Sequence, residues 1–451
     1  MAACARRGLD VRPFKAGPDF IDPGHHTAAA SLGRSGPPPV SHNLDTWMLG
    51  PKGAREVYHR HGAGGDVAVV EGVMGLFDGA SATAGDGSTA ELARALDLPV
   101  LLVFDARSMA RSAAALVGGF VRFEPGLAVA GVLANRVGSH THARLLEEAL
   151  AEYVPEAPLL GALWREEGLA LPSRHLGLVT AEDHALDEAA LDTLADWFEA
   201  GCDLDALLEA LPGHELSPPP STPVPTARVP IAVARDEAFC FYYAENLRIL
   251  EAAGAEPLFF SPMRDKALPE NVGGIYLPGG YPELHAFELS QNTGMKRAVA
   301  RAAAAGLPVW AECGGLLYLL DGLEGPRGRS FRMAGVFPWR ARMEERSQAL
   351  GYREVEQLTA TPLGPAGTVL RGHEFHYSRL EQEPDPEQVR AAFMVRGRTG
   401  PTFRPEGWMI GNTLGTYIHM HLGSNPEAAA HFTAACAAAL EDARKGPAPG
   451  G

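Results

Sequence analysis

Short, unbroken apolar runs alternate with amphipathic segments along most of this chain. In the first half the runs are DVAVVEGVMG (66–75), PVLLVFDA (99–106) and LAVAGVLANRV (127–137). Runs of this length, rich in Val and Leu and ended by Gly, Pro or charged residues, predict strands buried on both faces. Between them STAELARALD and HARLLEEALAEYV space their apolar residues for helices. The rhythm resumes downstream as PIAVARD, the helical pattern YYAENLRILEAAG, EPLFFSP, GGIYLPGG, a further helix and LPVWAECGG. Strand–helix alternation of this kind predicts an α/β fold with a parallel sheet covered on both sides in each half.

One stretch breaks the rhythm. ELSPPPSTPVPTARVP (215–230) is dense in proline and poor in large apolar residues, which predicts an extended linker between a domain at 1–214 and another at 231–444. The tail 445–451 is expected to be disordered. At 451 residues with 46% hydrophobic and 21% charged content, the chain has material for both cores. A net charge of −16 gains nothing from phosphate backbones, so nucleic acid is an unfit partner. No apolar run is long enough to span a bilayer and the N-terminus is no signal peptide, so no membrane partner is expected. Five cysteines lie far apart without a C-x-x-C pair, which suits a reducing cytoplasm and excludes a disulfide framework. A homodimer is left open.

Cys313 changes the picture. It stands between the apolar run Val309–Trp310–Ala311 and a helical pattern that opens with Gly314 and Gly315. A buried structural cysteine needs no glycines behind it. A nucleophile on a strand-to-helix turn does, because the backbone bends sharply there and meets the substrate. Amides at the start of the helix favour thiolate, so a lowered thiol pKa is expected. The Gly314 amide is one candidate oxyanion donor, and YLPGGYPE offers a second tight turn at Gly279 and Gly280. The base must be a histidine brought in by folding, and GTYIHMHL supplies His419 and His421 in strand-like alternation. In RGHEFHYS, residues His373, Glu374 and His376 lack H-E-x-x-H spacing, which favours pocket shaping over metal ligation.

The first half carries a second kind of chemistry. VRPFKAGPDFIDPGHH begins as a strand and breaks into a loop holding Lys15, Asp19 and Asp22. VVEGVMGLFDG places Glu71 at a strand end and Asp78 seven residues on. Carboxylates at the carboxyl ends of parallel strands line the ligand crevice of doubly wound sheets. Converging carboxylates are costly unless a cation joins them, and Mg²⁺ is the natural one, with Asp19 and Glu71 as candidate ligands.

The PGG turn, the C-G-G elbow and the T-Y-x-H segment resemble a class I glutamine amidotransferase domain. FKAGPDFIDPGHH, HNLDTWML, VVEGVMGLFDG and GVLANRVGSHTH resemble the synthetase domain of cobyrinic acid a,c-diamide synthases, which has a dethiobiotin-synthetase-like P-loop fold. The resemblance covers nearly the whole chain. It implies that Cys313 attacks glutamine, that His419 rather than His421 relays the proton, and that Gly280 and Gly314 hold the oxyanion. It further implies that Lys15, Asp19, Asp22, Glu71 and Asp78 serve Mg²⁺, ATP and acetate activation, with Asn135 a base-recognition candidate. The implied reaction is ATP-dependent amidation of the a- and c-acetates of cobyrinic acid by glutamine-derived ammonia, in cobalamin biosynthesis. Hydrogenobyrinic acid and nickel-sirohydrochlorin are alternative rings, and a glutaminase-only or inactive form is a third reading. A partitioning-type ATPase would account for the first half alone. The family opens with a strand and a G-x-x-x-x-G-K-[ST] loop, and this sequence has no such motif. A start assigned too far downstream is the expected reason. Because that strand is central in the family's sheet, both its neighbours are expected to present edges.

Overall fold

The computed structural model describes residues 1–79, 85–174, 177–220, 225–325, 328–382, 389–397 and 403–445. The chain divides into two compact units, Met1–Pro219 and Pro220–Gly451. Residues 221–224 of the expected linker and 446–451 of the expected tail lie outside the described residues. Two parts of those expectations are corrected. Leu216 packs against Phe14, Val57 and Tyr58 in an apolar cluster, so the linker's first residues belong to the first unit. Lys445 closes the helix Glu427–Lys445, whose apolar face holds it in register, so it is no part of a loose tail.

The first unit contains β1 (Val11–Ala16), β2 (His42–Leu44) and β3 (Val67–Glu71), paired in parallel in the order β2-β1-β3. A second parallel sheet contains β4 (Val100–Asp105), β5 (Val129–Val137) and β6 (Leu159–Trp164) in sequence order. A short antiparallel pair, β7 (Ser173–Arg174) and β8 (Gly177–Leu178), follows. Caps set the helices between strands where the sequence supplies an oxygen: Asp45 accepts from the Met48 N–H at 2.8 Å, and Ser88 accepts from the Glu91 N–H at 3.1 Å.

One apolar layer spans both small sheets. It joins Val11, Val67 and Val69 to Leu101, Leu133 and Leu163 beneath the helices Ala2–Arg6 and Glu188–Gly201. Among the described residues β3 and β4 each end a sheet. Their side chains are correspondingly open: Val103 on β4 is 56% exposed, whereas Phe14 on β1 is fully buried.

The second unit opens with β9 (Val229–Ala234), β10 (Ala255–Phe260), β11 (Gly274–Leu277) and β12 (Val309–Glu312). A small sheet contains β13 (Leu320–Glu324), β14 (Ser330–Arg332), β15 (Phe337–Met343) and β18 (Ser378–Leu380). The large sheet is completed by β16 (Ala349–Gln357), β17 (Val369–His376), β19 (Arg390–Gly397), β20 (Phe403–Ile410), β21 (Thr413–Thr416) and β22 (His419–His421). Its order is β10-β9-β11-β12-β21-β20-β19-β16-β17-β22. The half from β10 to β21 is parallel, as the sequence predicts, and the remainder is antiparallel. Alternation along the strands divides the core: Ile231, Val233, Tyr276 and Trp310 face one side, and Ala232, Ala234, Leu277 and Ala311 the other.

The antiparallel half rolls back on itself. β21 and β22 stand five places apart in the sheet, which is about 24 Å if flat. Only Tyr417 and Ile418 link them, and three peptide steps reach about 11 Å. The sheet must curl, and curling returns β22 to the neighbourhood of β12.

Candidate active site

Cys313 follows β12 directly and sits at φ 44°, ψ −101°, a backbone conformation that L-residues rarely hold. Its N–H donates to the Thr416 carbonyl at 2.7 Å, and the helix Gly314–Leu319 begins at the next residue. The glycines behind it are required by close packing. A Cβ on Gly314 would lie 2.9 Å from both the Gly280 nitrogen and Pro282 Cδ, and one on Gly315 would strike the Leu277 carbonyl. Gly280 has φ 154° and would drive a Cβ into the Ala238 carbonyl. The strand, the turn and the helix therefore match their expectation, and the two candidate oxyanion glycines lie against each other.

His419 comes to the same turn. A Cβ on Gly279 would land on Cε1 of the His419 ring, so the P-G-G turn makes room for the imidazole on one side and for the Cys313 elbow on the other. His421, two residues on along β22, is also buried, but its ring lies 4.6 Å from that of Tyr243 and its Nδ1 accepts from the Gly423 N–H at 3.0 Å. Packing thus separates the two histidines that sequence alone leaves open.

The electrostatics overturn one expectation. Burial pushes the Cys313 thiol up, Glu283 adds to this, and the Gly314 N–H only partly opposes them. Cys313 therefore rests as a thiol, because desolvation at a site with 7% exposure outweighs a single amide. Burial likewise pulls His419 down to about 3, so its ring is neutral.

Two neighbours of this pair carry no sequence signal. Glu312, immediately before Cys313, is buried and pushed up to about 8 by that burial, against hydrogen bonds from the Met420 N–H and the Tyr276 hydroxyl. Glu406 is raised to about 7 by burial, with the Glu374 charge next. Both glutamates sit in ordinary strand patterns, and only folding reveals their burial.

Glu374 does not resemble a metal ligand. Both its oxygens accept from Arg404 at 2.6 Å, one also from Arg353 at 2.6 Å, and His376 lies 3.1 Å away. Burial works to raise this carboxyl, but His376 and Arg404 outweigh it and hold it at about 2. The His376 ring stacks on Tyr417 at 3.9 Å, so this cluster props the wall beside Cys313 and His419.

In the first unit, Lys15, next to last on β1, pairs with Glu71 at the end of β3. The buried Lys15 ammonium donates to Asp22 at 2.5 Å and to the Gly72 carbonyl at 3.1 Å, and lies 3.2 Å from Glu71. Burial opposes its charge, yet Asp22 and Glu71 outweigh that and raise it. Burial would also raise Glu71, but His26 and Lys15 hold it down at about 2. His26, which sequence reasoning missed, bonds Glu71 through Nε2; the signal was its place in the GHH that ends the charged loop. Asp19 accepts from the Ile21 and Asp22 amides at 2.7 and 3.1 Å and is raised by burial and then by the Asp22 charge.

Two candidates stand apart from this cluster in their bonding. Asp78 accepts from the Gly75 N–H at 3.0 Å and so closes its own turn. Asn135 lies near the end of β5, opposite Asp105, and its side-chain oxygen accepts from the Arg136 N–H at 2.8 Å.

Residues 1–179 match a CobQ/CobB/MinD/ParA nucleotide binding domain, and 230–427 a CobB/CobQ-like glutamine amidotransferase domain. Over 442 residues the chain is 47% identical to a cobyrinate a,c-diamide synthase of Syntrophotalea carbinolica, covering 96% of this chain and 94% of that one. A cobyrinate a,c-diamide synthase of Salmonella typhimurium is 40% identical over 95% and 92% of the two chains. A hydrogenobyrinate a,c-diamide synthase of Streptomyces coelicolor is 40% identical over 97% and 93%. No helix among the described residues is long and apolar enough to cross a membrane. A strand–turn–helix elbow at Cys313 in one unit, a charged strand-end cluster in the other and these relatives agree: the chain belongs to the cobyrinate a,c-diamide synthase family.

Proposed function

We propose that this chain uses ATP and glutamine to amidate the a- and c-acetate carboxylates of cobyrinic acid, with hydrogenobyrinic acid the second reading because of the Streptomyces relative. The observation that carries the reading is the meeting of the Cys313 elbow, the Gly279–Gly280 turn and His419. Neutral His419 takes the thiol proton as sulfur attacks the glutamine amide carbon, so that charge develops only with substrate in place. The Gly280 and Gly314 amides stabilise the oxyanion. The tetrahedral adduct collapses, the C–N bond breaks, His419 returns its proton to the leaving nitrogen, and ammonia departs. Water then cleaves the thioester to glutamate.

In the first unit an acetate carboxylate takes the terminal phosphoryl group of ATP, and ammonia displaces phosphate from the acyl phosphate. The donor set there fits a hard cation unevenly. Asp19 is raised by burial and by a neighbouring carboxylate, an excess of negative charge that a cation relieves, whereas both Glu71 oxygens are already engaged by Lys15 and His26. Asp19, with Asp22, would hold Mg²⁺, which when bound screens the transferring phosphoryl group. Lys15 keeps Asp22 and Glu71 together until substrate competes for its ammonium. Cys313→Ala tests the division of labour: amidation with glutamine should vanish and amidation with an ammonium salt should persist. Loss of both in a folded chain refutes it.

A further inference from the structure

We infer that Glu312 is a positioning residue of the glutamine site, holding His419 against Cys313 through the main chain of Met420. The inference rests on the reading of Cys313 as nucleophile and His419 as base. Glu312 is the last residue of β12, next to Cys313, and Met420 follows His419 directly. Oε1 of Glu312 accepts from the Met420 N–H at 2.7 Å. One hydrogen bond therefore ties the residue before the nucleophile to the residue after the base.

The carboxyl is itself held. Its Oε2 accepts from the Tyr276 hydroxyl at 2.9 Å, and the Tyr276 ring stacks on Trp310 at 4.2 Å and 18°. All three side chains are buried, so the acceptor cannot swing away.

The histidine strand needs such a tether. β22 is three residues long and, among the described residues, ends the sheet with β17 on one side. Met420 turns both its main-chain groups to side chains: the N–H to Glu312, and the C=O to the Asn246 amide at 2.7 Å. Asn246 also accepts from the Leu422 N–H at 2.8 Å. Two side chains thus stand in for a missing neighbouring strand.

The upstream end of the segment is fixed separately. Glu406 accepts from the Thr416 hydroxyl at 2.6 Å and the Tyr417 N–H at 2.7 Å, and the Thr416 carbonyl accepts from Cys313. What remains to be set is the direction in which the chain leaves Ile418, and that direction aims the imidazole. Gln at 312 can still accept from Met420 through its oxygen and donate to Tyr276 through its nitrogen, so the tether needs the shape and not the charge.

The test compares Glu312→Ala and Glu312→Gln in the full chain by glutamate release from glutamine. Ala should lower kcat about 100-fold, the scale of an ångström of misplacement, with KM for glutamine within about twofold. Gln should recover kcat to within about threefold of the parent. Should the Ala chain fail to fold, Tyr276→Phe carries the test, with kcat down about fivefold for one neutral hydrogen bond and KM unchanged. A kcat unmoved in the Ala or Phe chain, a folded Gln chain no better than Ala, or a loss residing in KM overturns the assignment. Cys313→Ala, run alongside, tests the underlying reading separately: glutamate release surviving there refutes the nucleophile, whatever the Glu312 chains do.

Discussion

Gly314→Ala isolates catalysis from folding. The added Cβ would sit 2.9 Å from the Gly280 nitrogen and from Pro282 Cδ, where carbon contacts relax only near about 3.5 Å. Something must retreat by about 0.6 Å, and the obstacle is backbone on one side and a proline ring on the other. Two effects on stability oppose each other. Overpacking costs about 1–3 kcal/mol, while exchanging Gly for Ala in a helix returns up to about 1 kcal/mol. Folding should survive with a small loss. The rate should not, because the displaced groups are the two amides assigned to the oxyanion. With about 100-fold per ångström as the scale, 0.6 Å gives a loss of roughly 15-fold in kcat, or about 1.6 kcal/mol. Glutamate release measured beside thermal unfolding reads both quantities. Gly119→Ala is the control, since nothing lies within 4 Å of a Cβ there. A Gly314→Ala chain with parental kcat and a parental melting point would refute the oxyanion assignment.

Further outcomes follow from the charge pattern. Glu312 and Glu406, with folded values near 8 and 7, bind protons more tightly folded than unfolded, so their contribution is complete below about pH 4.5 and is lost as pH rises through 7–8. Melting temperature should fall across that window, and Glu312→Gln should flatten the slope; an equal slope in both chains contradicts the burial argument. Glu71, held near 2, works the other way: its contribution is present above about pH 4.5 and is lost as pH falls towards 2. His26→Ala removes the first of the groups lowering it, so acid unfolding should begin at higher pH, and an unchanged acid limb would deny the pairing. Lys15→Met leaves Asp22 and Glu71 without their shared cation and should cost on the order of 3 kcal/mol by urea unfolding, reduced by the half-exposure of Glu71. No change in the urea midpoint would show the cluster to be solvated.

The strand–turn–helix at Cys313 was legible because local chemistry and global need coincide there: a short apolar run, a bent residue and two glycines that no side chain could replace. The parallel strands β3, β4, β5, β9, β10, β11 and β12 were legible for the same reason, as continuous apolar runs between helices. The antiparallel half was not. β16, β17, β19 and β20 carry charged residues at many positions, and the curl that buries Glu406 and Glu312 exists only in three dimensions. The thiol expectation failed on magnitude: helix-start amides act locally, whereas the desolvation that overrides them comes from residues distant in sequence. His26 hid behind its ordinary neighbours, and Asp78, legible as an acid near a strand end, turned out to bond its own loop.

The central claim is that sulfur of Cys313 carries the glutamyl group. Acid quenching during turnover of glutamine, followed by peptide mass spectrometry, tests it most directly. A γ-glutamyl thioester on the peptide containing Cys313, absent from His419→Ala chains given the same brief exposure, is the expected result. Glutamate release with no adduct at Cys313, or with the adduct on another cysteine, would contradict it.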